Sequence, residues 1–110
     1  MERLVKGDVV VLPFPYTDFS NVKKRPAVVI ATLKGNNAVL AQITTNQRND
    51  EDLVSLNKKD FASGSLSSDS FIMASLIFTT DVSRVDYKAG KLKTEKIKEI
   101  QNKLVEIFTR

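Results

Sequence analysis

The sequence predicts a mainly β fold of the α+β class, a barrel-like antiparallel sheet closed by one C-terminal amphipathic helix. Three observations carry this reading. Short β-branched runs occur at 9–12, 27–31 and 38–44, turn-forming residues separate them, and the last stretch of chain has apolar residues at three- and four-residue spacing. Several short strands followed by a single helix bury their apolar faces as a curled sheet with the helix packed at its open side.

The elements follow in order. Gly7 and Asp8 introduce Val9-Val10-Val11-Leu12, an uncharged run ended by Pro13, which reads as a buried strand. From Phe14 to Lys24 the pattern is lost, and Pro15, Asp18, Ser20 and Asn21 mark a polar loop. Arg25-Pro26 opens a second strand over 27–31, where a proline is tolerated because its missing N–H can lie outside the ladder. Gly35-Asn36-Asn37 is a turn, and 38–44 is the returning strand of a hairpin, with Thr44 and Thr45 at its end. Residues 46–52 form a second loop and 53–56 a short strand, followed by a polar connection through Gly64 and Ser65. A further strand spans 70–79, and Ala89-Gly90 reads as a last turn. Thr94 is the predicted N-cap of the helix, with Leu92 placed for a hydrophobic staple. Ile97, Ile100, Leu104, Ile107 and Phe108 form one apolar stripe along about four turns.

The chain of 110 residues fits one domain, 1–110, and its 42% hydrophobic content suffices for a core. It shows no basic-plus-apolar leader and no apolar run near the roughly 18 residues that cross a bilayer, so a cytoplasmic location is expected. Cys and His are both absent. That removes disulfides, thiol and His-driven catalysis, and zinc sites built from thiolate or imidazole. A net charge of +4 permits attraction to a polyanion without requiring it. The lysines 91, 93, 96, 98 and 103 are mixed with Glu95, Glu99 and Glu106 and read as a solvated helix face. Phe14, Tyr16 and Phe19 flank Lys23, Lys24 and Arg25, an interleaving suited to stacking unpaired bases while holding their phosphates. For the two phenylalanines, anchoring the loop to the core is the preferred reading, and for Tyr16 the two readings are even.

Two segments are less generic: Gly7-Asp8-Val9-Val10 with Pro13, then Lys24-Arg25-Pro26-Ala27-Val28-Val29-Ile30 after the polar loop. Together with Ala41-Gln42-Ile43-Thr44-Thr45, Asp69-Ser70-Phe71-Ile72, Thr79-Thr80-Asp81 and the final helix, they resemble the PemK/MazF family of bacterial toxins of type II toxin-antitoxin systems. The resemblance implies an SH3-like barrel of the CcdB/MazF kind and a homodimer. It also implies a metal-independent endoribonuclease of the mRNA interferase type, needing no cofactor. That enzyme would cut single-stranded RNA to a 2′,3′-cyclic phosphate and a 5′-hydroxyl, and a cognate antitoxin protein would be its partner. The family's Arg-Pro arginine matches Arg25 and the threonine after its third strand matches Thr44.

Such cleavage uses the RNA's own 2′-hydroxyl as nucleophile, so the protein supplies orientation, charge and proton transfer. Arg25 offers a planar fork of donors for phosphate oxygens, and Thr44 a hydroxyl donor to the same group. A guanidinium with a pKa above roughly 12 is a poor base, and Asp18 in the loop is the candidate for that role. Tyr16, Thr17, Lys23 and Lys24, with Thr45, Asn46 and Gln47, are the candidate substrate contacts. One departure stands out. The strand that supplies an Arg and an acidic or Gln residue in several members here reads Ile72-Met73-Ala74-Ser75-Leu76-Ile77-Phe78, with no charge. A binding member of the same fold without catalysis, or a gyrase inhibitor like CcdB, are the alternative readings.

Overall fold

A computed structural model describes residues 3–14, 23–47 and 49–110. Its strands are β1 (Asp8–Phe14), β2 (Lys23–Thr32), β3 (Asn37–Thr44), β4 (Leu53–Leu56), β5 (Phe61–Gly64), β6 (Ser70–Asp81) and β7 (Tyr87–Leu92). Helix α1 (Thr94–Thr109) closes the chain, and single 3₁₀ turns follow β4 and β6. The strands form one seven-stranded antiparallel sheet in the order β4-β6-β3-β2-β1-β7-β5. Its two edge strands are consecutive in sequence, joined by the turn Lys58–Asp60 alone, so the sheet must curl to bring its edges to one corner. The curled half-barrel with a C-terminal helix is the architecture the sequence predicts.

The two faces of the curl bury two cores. Val9, Val28, Ala41, Ile43, Val54 and Ile72 face α1, meeting Ile100 and Leu104. Their sequence neighbours Val10, Leu12, Ala27, Val29 and Leu40 point the other way and pack with Leu4 and Val85. Alternate residues of β1, β2 and β3 are therefore buried on opposite faces, which is why these strands read as continuous apolar runs rather than as apolar–polar alternation. At the entrance to β1 the fully buried Asp8 carboxylate accepts a hydrogen bond from Val5 N–H at 2.8 Å. Lys88 and Lys91 Nζ stand 3.0 and 3.7 Å from its Oδ1, acting as charge partners without the alignment of a hydrogen bond.

Several local expectations are corrected. β1 runs through Pro13 to Phe14, and β2 begins at Lys23. The proline is accommodated because β7 leaves the ladder at the pair Val11–Tyr87, before reaching it. Phe61–Gly64, expected as polar connection, is a strand, and Ala89-Gly90, expected as a turn, lies inside β7. Gly64 and Gly90 are cross-strand neighbours, and a Cβ on Gly90 would stand 2.6 Å from the Ser63 carbonyl oxygen. Glycine here permits close backbone approach, a need that local turn propensity mimics. The helix cap is Lys93 rather than Thr94, which is the first helical residue. Phe108, expected on the apolar stripe, is 69% exposed, whereas its neighbour Ile107 packs against the core. Lys96 is not a solvated lysine. It is 7% exposed and donates to Ser55 O and Glu99 Oε1, both at 2.8 Å, with Asp60 at 3.6 Å. No helix among the described residues is long and apolar enough to cross a membrane.

Candidate functional site

Strand register decides which of the candidate residues meet. β1 pairs Leu12 with Arg25, so Arg25 projects on the face of Val10, Leu12 and Ala27, away from α1. The β2–β3 ladder ends at the pair Ala27–Gln42, and alternation along each strand puts Arg25 and Thr44, two residues beyond it, on the face those two residues share. β6 pairs Phe71 with Thr44, and β4 pairs Ser55 with Phe71. Leu12 and Arg25, paired across β1 and β2, and Thr44, Phe71 and Ser55, paired in turn across β3, β6 and β4, thus form a row on one face of the sheet, with the ladder open between Arg25 and Thr44.

The row has distinct chemistry along its length. Arg25 is half-buried, with its Nε sealed from solvent. Thr44 is 6% exposed, and its Oγ1 accepts the Asn46 N–H at 3.1 Å. That bond uses a lone pair and leaves the hydroxyl proton available to an anion. Phe71 is half-buried, whereas Ser55 beyond it is exposed. Gln42 lies on the same face as Thr44, two residues earlier on β3. Opposite it, β6 inserts extra chain: the register passes from Ala41–Ile77 to Ile43–Ile72, so residues 73–76 stand against Gln42 alone. Below the row, Phe14 and Phe78 meet edge to face at 5.1 Å, beside a groove of about 530 Å³ between β1 and β6 lined by Leu12, Phe14, Leu76 and Phe78.

The other sequence candidates are distributed unevenly. Lys23 is exposed and pairs with Phe14, which puts it on the Arg25 face. Lys24 projects to the opposite face and forms an ion pair with Asp86, whose hydrogen bond and charge hold its ammonium pKa above the ordinary lysine range. Thr45, Asn46 and Gln47 are exposed just beyond β3, next to the row. Tyr16, Thr17, Asp18 and Phe19 lie outside the described residues. Sequence reasoning assigned no role to Gln42 or Phe71. Period-two alternation back from Thr44 was enough to place Gln42 on its face, but nothing local links Phe71 to Thr44, because their strands pair across a long separation in sequence.

A curled antiparallel sheet closed by a C-terminal helix, with an arginine and a threonine on the face away from that helix, defines a class of small half-barrel β proteins. The chain belongs to the family of PemK-like, MazF-like toxins of type II toxin-antitoxin systems, whose model matches residues 5–108. A search of curated proteins found no match. Among solved structures, the fold is similar to an endoribonuclease in complex with its cognate antitoxin from a Mycobacterial species, with a TM-score of 0.77 and 14% identity over 96% of this chain and 95% of that one. It is also similar to the Mycobacterium tuberculosis toxin MazF-mt6, with a TM-score of 0.72 and 18% identity over 92% and 95% of the two chains. A third likeness is to a MazE-MazF structure from Deinococcus radiodurans, with a TM-score of 0.74 and 18% identity over 94% of each chain.

Proposed function

We propose that this protein is a metal-independent endoribonuclease of the mRNA interferase type. It cuts single-stranded RNA, acts as a homodimer in the cytoplasm, and is restrained by an antitoxin protein. The observation that supports the reading is that Arg25 and Thr44 lie on one face of the sheet, in a chain of a toxin family. In this reading the RNA 2′-oxygen attacks the adjacent phosphorus and the bond from phosphorus to the 5′-oxygen breaks. A 2′,3′-cyclic phosphate and a 5′-hydroxyl remain. One proton leaves the 2′-hydroxyl and one is delivered to the departing 5′-oxygen. Arg25 holds two phosphate oxygens through its planar donors and remains charged as negative charge builds on them. The Thr44 hydroxyl donates to the same group. Asp18 is the candidate for the first proton transfer. Lys23, exposed on the Arg25 face, and Thr45, Asn46 and Gln47, just beyond β3, are candidate substrate contacts together with Tyr16 and Thr17.

The test is incubation of the purified protein with mixed-sequence RNA in EDTA, beside Arg25→Ala and Thr44→Ala variants, with identification of the new ends. Cyclic-phosphate ends lost in the Arg25 variant are the expected result. RNA left whole at high protein concentration refutes the catalytic reading. A second reading has its own observation: residues 73–76, the β6 segment facing Gln42, contain no acid, base or charge. On that reading the same face binds RNA without cutting it, and tight binding with no new ends is its signature.

A further inference from the structure

We propose that the ion pair of Asp52 with Arg110 is a clamp that holds the β3–β4 loop, residues 45–52, in the position from which Thr45, Asn46 and Gln47 meet RNA. Asp52 and Arg110 are then positioning residues, acting on the substrate through the loop. The inference rests on the reading of this face as an RNA site and adds what keeps part of that site in place.

The loop cannot be fixed by hydrophobic burial. Its sequence, Thr45-Asn46-Gln47-Arg48-Asn49-Asp50-Glu51-Asp52, contains no apolar side chain. Among its described residues only Asp52 is buried, at 6% exposure. Every residue held in one conformation costs entropy, which polar contacts at the two ends must offset. Where the chain leaves β3, Thr44 Oγ1 accepts the Asn46 N–H at 3.1 Å. Where it enters β4, the Asp50 carboxylate accepts the Asp52 N–H at 2.9 Å, and the helix supplies the rest. Arg110, directly after α1, donates through Nη1 to Asp52 Oδ1 at 3.1 Å and through Nη2 to Oδ2 at 3.0 Å. This two-pronged fit fixes distance and orientation together, which a single ammonium does not. Two turns earlier on the helix, Lys103 Nζ donates to the Glu51 carbonyl oxygen at 3.1 Å.

Burial gives the pair its leverage. A carboxylate shielded from water that loses its guanidinium is left without a counter-charge, and the chain relieves this by turning the group out to solvent, which moves the loop. Charge acts in the same direction. Asp50, Glu51 and Asp52 are three consecutive acids, a few residues from the candidate RNA contacts. Arg110 and Lys103 set two positive charges against that run, with Arg110 Nη1 3.7 Å from Glu51 Oε1, and so lessen its repulsion of a polyanion.

The experiment measures steady-state cleavage of a single-stranded RNA oligonucleotide in EDTA by the intact protein, by Asp52→Asn, by Arg110→Gln and by the double variant. Hydrogen exchange of the Asn46 and Asp52 amides is followed on the same proteins without RNA. Each single variant is expected to raise KM by about 5-fold or more with kcat within about 2-fold, because the loop's contacts bind ground and transition states alike. The double variant is no worse than the stronger single one, because both side chains act through one contact. Exchange at Asn46 and Asp52 quickens by about 10-fold in all three, while exchange at the core residues Ile43 and Ile72 does not. Ile100→Val, a core change on the same helix, lowers the melting temperature without moving KM or loop exchange. An unchanged KM, unchanged loop exchange, or effects of the two single variants that multiply in the double overturns the proposal. A rise in KM for Ile100→Val equal to that for Arg110→Gln does the same, since loss of stability alone then explains the effect. RNA left whole by the intact protein refutes the RNA reading and the loop's role in it, and exchange then decides by itself whether Arg110 holds the loop.

Discussion

The Thr44 hydroxyl has a role in the fold beside the one proposed for it in the site. Its oxygen accepts the Asn46 N–H at 3.1 Å, which pins the chain as it leaves β3. Thr44→Val keeps the β-branched shape and removes both functions. The expected outcome is a loss of about 1 kcal/mol in urea unfolding together with a fall in RNA cleavage, whereas Thr44→Ser preserves most of each. Lys24 illustrates the opposite case. It is adjacent to Arg25 in sequence, yet strand alternation sends it to the other face, where Asp86 takes its charge.

At the scale of elements, two glycines with left-handed backbones separate strain from crowding. Gly35 has a φ of +76° with open space where a Cβ would go. Gly64 has a φ of +67°, and a Cβ there would stand 2.2 Å from the Ala89 carbonyl oxygen and 2.6 Å from the Gly90 Cα. Gly35→Ala should therefore cost only the conformational penalty of roughly 1–2 kcal/mol, and Gly64→Ala clearly more, because β5 must also move away from β7. Denaturant melts of the two variants check this ordering. The end of β6 gives a prediction about pH. Asp81 accepts the Ser83 N–H at 2.8 Å and the Asn36 side-chain amide at 2.9 Å, tying the turn after β6 to the β2–β3 hairpin. The hydrogen bonds from Ser83 are the main cause of a carboxyl pKa below its ordinary 3.8. A group depressed in this way is protonated more readily in the unfolded chain, so its stabilisation is present above about pH 4 and is lost as pH falls through the lower, folded value. The difference in melting temperature between the protein and its Asp81→Asn variant should shrink as pH is lowered from 6 to about 3; a constant difference would contradict the assignment.

For the whole molecule, the helix is what closes the larger core. Ile100 and Leu104 are buried against β-strand residues including Ile43, Val54 and Ile72. Leu104→Ala should destabilise by about 2–5 kcal/mol, a large part of the roughly 5–15 kcal/mol that domains of this size possess. The loss of helical and sheet signals should coincide in thermal unfolding, because sheet and helix share that core. Separate transitions would show that the curled sheet is stable without its helix.

Most of the strands and the helix were legible in the sequence because β-propensity, turn chemistry and helical periodicity are local signals. The short apolar runs, the hairpin at 35–37 and the stripe through Ile97, Ile100, Leu104 and Ile107 required no knowledge of the fold. Arg25 and Thr44 stood out as candidates for the same reason, through short motifs. β5 was missed because Phe61-Ala62-Ser63-Gly64 is too short and too polar to signal a strand, and it pairs only where glycines let β7 approach. Lys96 read as a surface lysine because nothing in the helix sequence indicates that Ser55 and Asp60 come over it. The sequence by itself thus determined which segments extend, turn or coil, and which side chains carry charge. Only the tertiary structure decided which of those side chains share a face. A register between distant strands depends on both cores packing at once, and a slip of one residue would turn Arg25, Thr44 and Phe71 away from one another.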